Sequence, residues 1–340
     1  MKFDTMLAGL SDAPAHARRL EELGVDGAFT FEGPHDVFTP LILAAEGTTT
    51  LDLATNVAIA FPRNPVQLAH QAYDLQLLSG GRFTLGLGSQ IRAQVEKRYG
   101  TSFDRPIARM REVVGALRAI FATWETGEPL DFRGEFCSHT LMPPLFNPGP
   151  NPYGPPPIAL GGLGPQMLRL AAEVGDAVYV MPFNTAAHFV GHSLPAIEEG
   201  LTRGSRDRSS LSVTGEVIVC CGRNEEEREA ARIAGRWLLS FYASTPAYRP
   251  VLECEGWEAL QPELNALSKS GRWEEMPGLI DDGMLAALAA VGSPKEVVSE
   301  IAARFGDHVD RVGFYTPYLI SEETLGELAA EMASVAQHLP

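Results

Sequence analysis

Two glycine-bearing turns, one polar loop and a histidine pair hold the residues of this sequence that could do chemistry. The stretch Gly161–Gly162–Leu163–Gly164–Pro165–Gln166 follows an apolar run and opens an amphipathic one. It starts like a dinucleotide loop, but Met167 stands where a third glycine belongs. The next apolar run, DAVYVM, ends in MPFNT with no acidic residue for a ribose hydroxyl. What survives is simpler physics: glycine lets a ligand approach the backbone, and a helix N-terminus offers unpaired N–H groups to an anion. Pro165 suits the first helical turn, where its missing N–H has no partner to lose. A turn that merely packs helix on strand is the plainer alternative.

The second turn, GLGSQIRA at 86–93, adds Gly88, Ser89, Gln90 and Arg92. Gly88 would admit a bound group, and the other three could donate to it. A tight turn accounts for the glycines equally well. The polar loop, FEGPHDVF at 31–38, brings Glu32, His35 and Asp36 together. A histidine near neutrality can give or take a proton at a reacting carbonyl; a loop histidine can also simply be solvated. His188 and His192 lie four apart, but Phe189 occupies the place of the glutamate in an HExxH motif, and no third ligand is near in sequence. No metal is expected. The Asp281–Asp282 pair and the Glu225–Glu227 run read as solvated helix ends.

These turns need elements to position them, and the chain alternates strand and helix from end to end. Strand-like runs are FDTML, DGAFTF, LDLATNVAIA, RFTLGLG, PIALGG, DAVYVM, SVTGEVIVCC and DRVGFYT, with helical periods between. Eight such units predict a (β/α)8 TIM barrel, whose sites lie on the loops after the strands. Two stretches interrupt the rhythm. Residues 125–157 hold eight prolines between Pro143 and Pro157, and residues 224–282 are mainly helical. The expectation is a single barrel domain over 1–340, with both stretches as insertions that shape a substrate pocket. Phe136, Phe146, Trp237, Tyr242 and Trp257 would supply its apolar walls, or else serve as core or subunit contacts. Phe132, Phe136, Phe146 and Tyr153 favour an ordered, packed first insertion.

Composition narrows the function classes. The chain has 340 residues, 45% hydrophobic and 21% charged, as in a globular enzyme. A net charge of −16 argues against nucleic-acid binding. No apolar run is long enough to span a membrane. The start, MKFDTMLAGL, does not read as a signal peptide. Cys137, Cys220, Cys221 and Cys254 form no CxxC pair and read as reduced thiols. A cytoplasmic enzyme with a small-molecule substrate is expected.

The block AFPRNPVQLAHQAYDLQLLSGGRFTLGLGSQ, from Ala60 to Gln90, resembles the luciferase-like monooxygenase superfamily, most specifically in Arg63–Asn64–Pro65 and Ser79 to Phe83. GGLGPQMLRLAAEVGDAV, GEPLDFRGEFCSHTLMPP and GSPKEVVSEIAARF are similar to further family segments, so the resemblance covers nearly the whole chain. Within the superfamily it points to the branch using the deazaflavin coenzyme F420. The resemblance implies a luciferase-like barrel with the cofactor ring across its mouth. A bulge at Asn56 and Val57, often a cis peptide in these enzymes, would back the ring. Gly161 to Gln166, with Gly88, Ser89 and Gln90, would meet the phosphate-bearing tail. His35, or Glu32, would lie near the reacting carbon, although Gly33 and Pro34 separate the two. The implied activity is hydride transfer between F420 and a small carbonyl, imine, alkene or alcohol, with His35 as proton relay. An FMN-dependent two-component monooxygenase is the first alternative, and a non-catalytic flavin-binding barrel the second. A homodimer or higher homo-oligomer is expected.

Overall fold

Eight parallel strands close on themselves in a computed structural model that describes residues 1–336. They are β1 (Lys2–Met6), β2 (Gly27–Thr30), β3 (Asp52–Thr55), β4 (Phe83–Gly88), β5 (Ile158–Gly162), β6 (Ala177–Val180), β7 (Ser212–Cys221) and β8 (Arg311–Tyr315). Each pairs with its neighbour in chain order, and Phe3 of β1 opposite Val312 of β8 completes the ring. The helices α1 (Ala13–Glu22), α2 (Thr39–Gly47), α3 (Pro65–Leu78), α4 (Pro106–Thr126), α5 (Pro165–Val174), α6 (Leu194–Arg203), α7 (Glu225–Ala243), α8 (Pro294–Phe305) and α9 (Glu322–Ala336) surround it. This is the TIM barrel that eight alternating units predict. Strand alternation explains how β7 serves two layers. Val213, Val217 and Val219 join the large apolar cluster, whereas Thr214 and Glu216 line the barrel's cavities.

Two local departures matter for the site. The run LDLATNVAIA, read as one strand, is broken. Asp52–Thr55 pairs with β2 and the start of β4, and Ala58–Ile59 pairs with the end of β4. Between them the Asn56–Val57 peptide is cis. Gly88 and Gly161 flank this bulge, and a Cβ on either would run into the Val57 side chain. The close approach of three chain segments accounts for both glycines.

The second departure concerns the proline-rich insertion. It links the end of α4 to the start of β5, so it follows a helix rather than a strand; both its ends lie at the N-terminal end of the barrel, while its hairpin runs back along α4 to Glu112 and Arg105 near that helix's start. It carries a small hairpin, Phe132–Arg133 against Ser138–His139, and one turn of 3-10 helix at Pro144–Phe146. Of the four aromatics that favoured a packed insertion, Phe132 and Phe136 are half-buried while Phe146 and Tyr153 are 60% and 53% exposed, so the insertion packs only in part. Residues 224–282 instead lie beyond the C-terminal end of β7. There α7 and the helices Arg249–Glu253, Leu260–Lys269 and Asp282–Leu288 pack around Phe183, Ile218, Leu239 and Leu264.

Candidate active site

A cavity of about 910 Å3 opens at the C-terminal ends of the strands. Its lining includes Glu32, Asn56, Val57, Gly88, Ser89, Gln90 and every residue from Gly161 to Gln166. The structure thus brings together the residues singled out from three separate turns. From the 224–282 segment it adds Leu238, Tyr242, Ala247 and Tyr248. Of the five aromatics expected in the walls, only Tyr242 is there. Phe136 packs on Arg105 at the start of α4, next to the lining residues Pro106 and Ile107 but not among them, Phe146 sits on the insertion near the far end of α4, and Trp237 and Trp257 do not reach the lining.

At one end of the cavity α5 starts at Gly164, whose backbone is extended and whose cap position has no side-chain acceptor. In the first turn Pro165 has no N–H and the Met167 N–H donates to the Gly164 carbonyl at 3.1 Å, so among the described residues the Gln166 N–H is the donor left for a partner, and the helix dipole favours an anion. Gly164 has no neighbour within 4 Å of where a Cβ would stand, so its surroundings are open.

Glu32 is held in the wall. Arg63 pairs with its Oε1 at 2.5 Å, the Ile59 N–H donates to the same oxygen at 3.2 Å, and the Tyr99 hydroxyl donates to Oε2 at 3.2 Å. Its side chain is 10% exposed. These contacts tie the loop after β2 to the chain beyond the β3 bulge. Arg63, visible in the sequence as part of a family block, acts here as the partner that neutralises Glu32.

His35 departs from its expected place. It is exposed and is not part of the cavity lining. The reason is local: Gly33 and Pro34 turn the chain outward. Asp36 then fastens the loop to α2, its Oδ1 accepting from the Phe38 and Thr39 N–H groups at 3.1 and 2.8 Å. His188 and His192 also lie outside the cavity. The Nδ1 of His188 is 2.8 Å from the Asn184 side-chain oxygen, and burial, with His192 beside it, pushes its pKa down to about 4.

The residue that sequence reasoning missed is Glu216. It lies on β7, is 5% exposed, and lines the cavity beside Asn56, Tyr179, Tyr242 and Tyr315. The Asn56 amide donates to its Oε1, and the Tyr315 hydroxyl donates to the Asn56 carbonyl at 3.0 Å. Among the described residues no Lys, Arg or His pairs with Glu216. Burial pushes its pKa up to about 8, against the opposing pull of the Asn56 hydrogen bond. Burial likewise raises Tyr179, Tyr242 and Tyr315, which surround it. The signal was present: a single glutamate inside the apolar strand SVTGEVIVCC.

A closed barrel with an apolar, tyrosine-walled cavity at its C-terminal mouth defines a small-molecule site of enzyme type. The chain belongs to the luciferase-like monooxygenase family, whose model matches residues 4–311. Among similar sequences, an uncharacterized protein of Mycobacterium tuberculosis is 46% identical over 306 residues, covering 90% of this chain and 89% of the relative. A putative coenzyme F420-dependent oxidoreductase of the same organism is 29% identical over 301 residues, covering 83% and 84%. Among solved structures, the coenzyme F420-dependent tetrahydromethanopterin reductase from Methanopyrus kandleri superposes with TM-score 0.83 at 20% identity, over 100% of this chain and 99% of that one. The oxygenating constituent of 3,6-diketocamphane monooxygenase from Pseudomonas putida, in complex with FMN, does so with TM-score 0.67 at 16% identity, over 98% of each chain. These superpositions establish the shared fold. Those whose names give an activity are oxidoreductases or monooxygenases.

Proposed function

We propose that this chain is a coenzyme F420-dependent oxidoreductase that moves a hydride between the deazaflavin and a small organic carbonyl, imine, alkene or alcohol. The observation that carries the reading is the two-part chemistry of the cavity. One end is walled by tyrosines and the Val57 bulge and suits a planar ring. The other is an uncapped helix N-terminus and suits an anionic tail. The likeness to a putative F420-dependent oxidoreductase over 83% of the chain favours deazaflavin over FMN.

The residues fit such a group. Val57 would back the ring, and Gly161 to Gln166 with Gly88, Ser89 and Gln90 would receive the tail. When bound in its reduced form, the deazaflavin supplies a hydride. The protein's part is orientation and exclusion of water. The tyrosine walls narrow the site, the Glu32–Arg63 pair fixes the loop at its edge, and Asn56 holds Glu216 on its floor. Glu32 acts through that wall as a positioning residue.

The test is direct. The protein is mixed with reduced F420, or with reduced FMN and oxygen, and absorbance is followed against a panel of small carbonyls and activated alkenes. Acceptor-dependent oxidation of reduced F420 supports the proposal. Rapid oxygen consumption with reduced FMN, and no turnover with F420, contradicts it in favour of the monooxygenase. Ring binding with no turnover of either kind would leave a flavin-binding barrel.

A further inference from the structure

Glu216 is a buried carboxyl group with one of its two oxygens hydrogen-bonded. Asn56 donates to Oε1, and among the described residues no donor or cation meets Oε2. Every charged or titratable neighbour opposes its ionisation or is committed elsewhere. On β1, Asp4 is the negative charge that disfavours a second one. On β8, Arg311 is spent on Asp4 and Asp52, and Tyr315 donates to the Asn56 carbonyl. Tyr179 of β6 and Tyr242 of α7 are neutral phenols whose pKa values burial raises. Such surroundings keep a carboxylic acid neutral, and a neutral acid has a proton to donate.

We propose that Glu216 is a ligand-binding group that works as a carboxylic acid. Asn56 fixes Oε1, and the O–H on the second oxygen is donated to a carbonyl oxygen or ring nitrogen of the planar heterocycle seated in the cavity. The inference rests on the reading that this cavity takes a ring of the flavin or deazaflavin class. Its consequence is a site that binds its ring in acid and neutral solution and releases it in base. Once Glu216 ionises, two lone-pair-bearing oxygens face the acceptor edge of the ring with no proton between them.

Equilibrium binding of oxidised F420 and, separately, of FMN is measured between about pH 6.5 and pH 9 for wild type and Glu216→Gln. The amide of glutamine keeps a neutral donor of the same shape. For whichever ring binds, wild-type affinity is expected to fall about tenfold per pH unit above the carboxyl's pKa, as when only a protonated fraction is competent. Glu216→Gln is expected to bind within about threefold of the wild type's low-pH affinity and to lack that fall. Any titration of the ring itself appears in both proteins and cancels in the comparison. A second readout needs neither ligand nor variant: the infrared carbonyl band of a protonated carboxylic acid should be present in the free protein at neutral pH and vanish in base.

Parallel pH curves in the two proteins, or absence of the carboxylic acid band, would overturn the role of Glu216 while leaving the cofactor assignment standing. FMN binding with the predicted pH dependence, and no F420 binding, would remove the deazaflavin assignment and support Glu216. Failure of both rings to bind at any pH would remove both.

Discussion

The barrel interior has two ends with opposite electrostatic habits. At the N-terminal end a cavity of about 340 Å3 is lined by Asp4, Asp52 and Arg311. There Arg311 donates to Asp4 at 2.8 Å and to Asp52 at 2.8 Å, and Lys2 donates to Asp52 at 2.9 Å. Each of these four charges has a partner. At the C-terminal end Glu216 stands in the larger cavity with an amide for company and no cation. Asn56 and Tyr179 line both cavities, so the two regimes lie a few side chains apart. Paired charges cancel and hold strands β1, β3 and β8 together. An unpaired acid keeps its interaction capacity for something that arrives later.

That contrast can be broken at either end. The largest effect is expected from Arg311→Met, which leaves Asp4 and Asp52 without their shared cation. Removing one partner of a buried ion pair costs about 3–5 kcal/mol, and a denaturant midpoint should drop accordingly. Glu216→Gln should act in the opposite sense. The pKa of Glu216 is raised from an ordinary 4.5 to about 8, so the stability it contributes is complete below the ordinary value and is lost as pH rises through 8. The glutamine variant escapes that loss. At about pH 8.5 it should be more stable than wild type by up to about 5 kcal/mol, since the rise from 4.5 to about 8 spans three to four pKa units at about 1.4 kcal/mol each. At about pH 4.5 the two should melt together. A variant that is less stable than wild type at high pH would contradict the neutral-acid description.

Smaller effects separate ligand contacts from fold. Gly164→Val places a side chain in open space at the helix terminus, where the extended backbone tolerates it. Thermal stability should change little, within about 0.5 kcal/mol, while ring affinity falls at least about tenfold, or roughly 1.4 kcal/mol. His35→Ala, on the exposed outer side of its loop, should alter neither stability nor ring binding beyond about 0.5 kcal/mol. A large loss of turnover in that variant would return His35 to the site.

The barrel was legible in the sequence because eight apolar runs alternate with helical periods, and barrel closure follows from that rhythm. The bulge was legible only through family likeness. Propensity alone reads LDLATNVAIA as one strand, since nothing local distinguishes Asn56–Val57 from its neighbours. The proline-rich insertion was legible as a loop but not as to its end of the barrel. It follows a helix, where the rule that places sites after strands does not look, although its hairpin runs back along α4 to Arg105. Residue type offered His35 as a proton relay; that it stands exposed, outside the cavity lining, beyond the Gly33–Pro34 turn is a matter of three dimensions. Glu216 was overlooked for the opposite reason. It belongs to no motif, and its chemistry arises from a desolvated surrounding that β1, β6, β8 and α7 assemble.

The central claim is that the cavity seats a deazaflavin ring with its tail on the turn from Gly161 to Gln166. Quenching of F420 fluorescence on titration with the protein, with FMN titrated in parallel, tests it most directly. The account predicts saturable F420 binding that is tighter than FMN binding and is weakened at least about tenfold by Gly164→Val. Tight FMN binding with no F420 binding, or F420 binding indifferent to Gly164→Val, would contradict it.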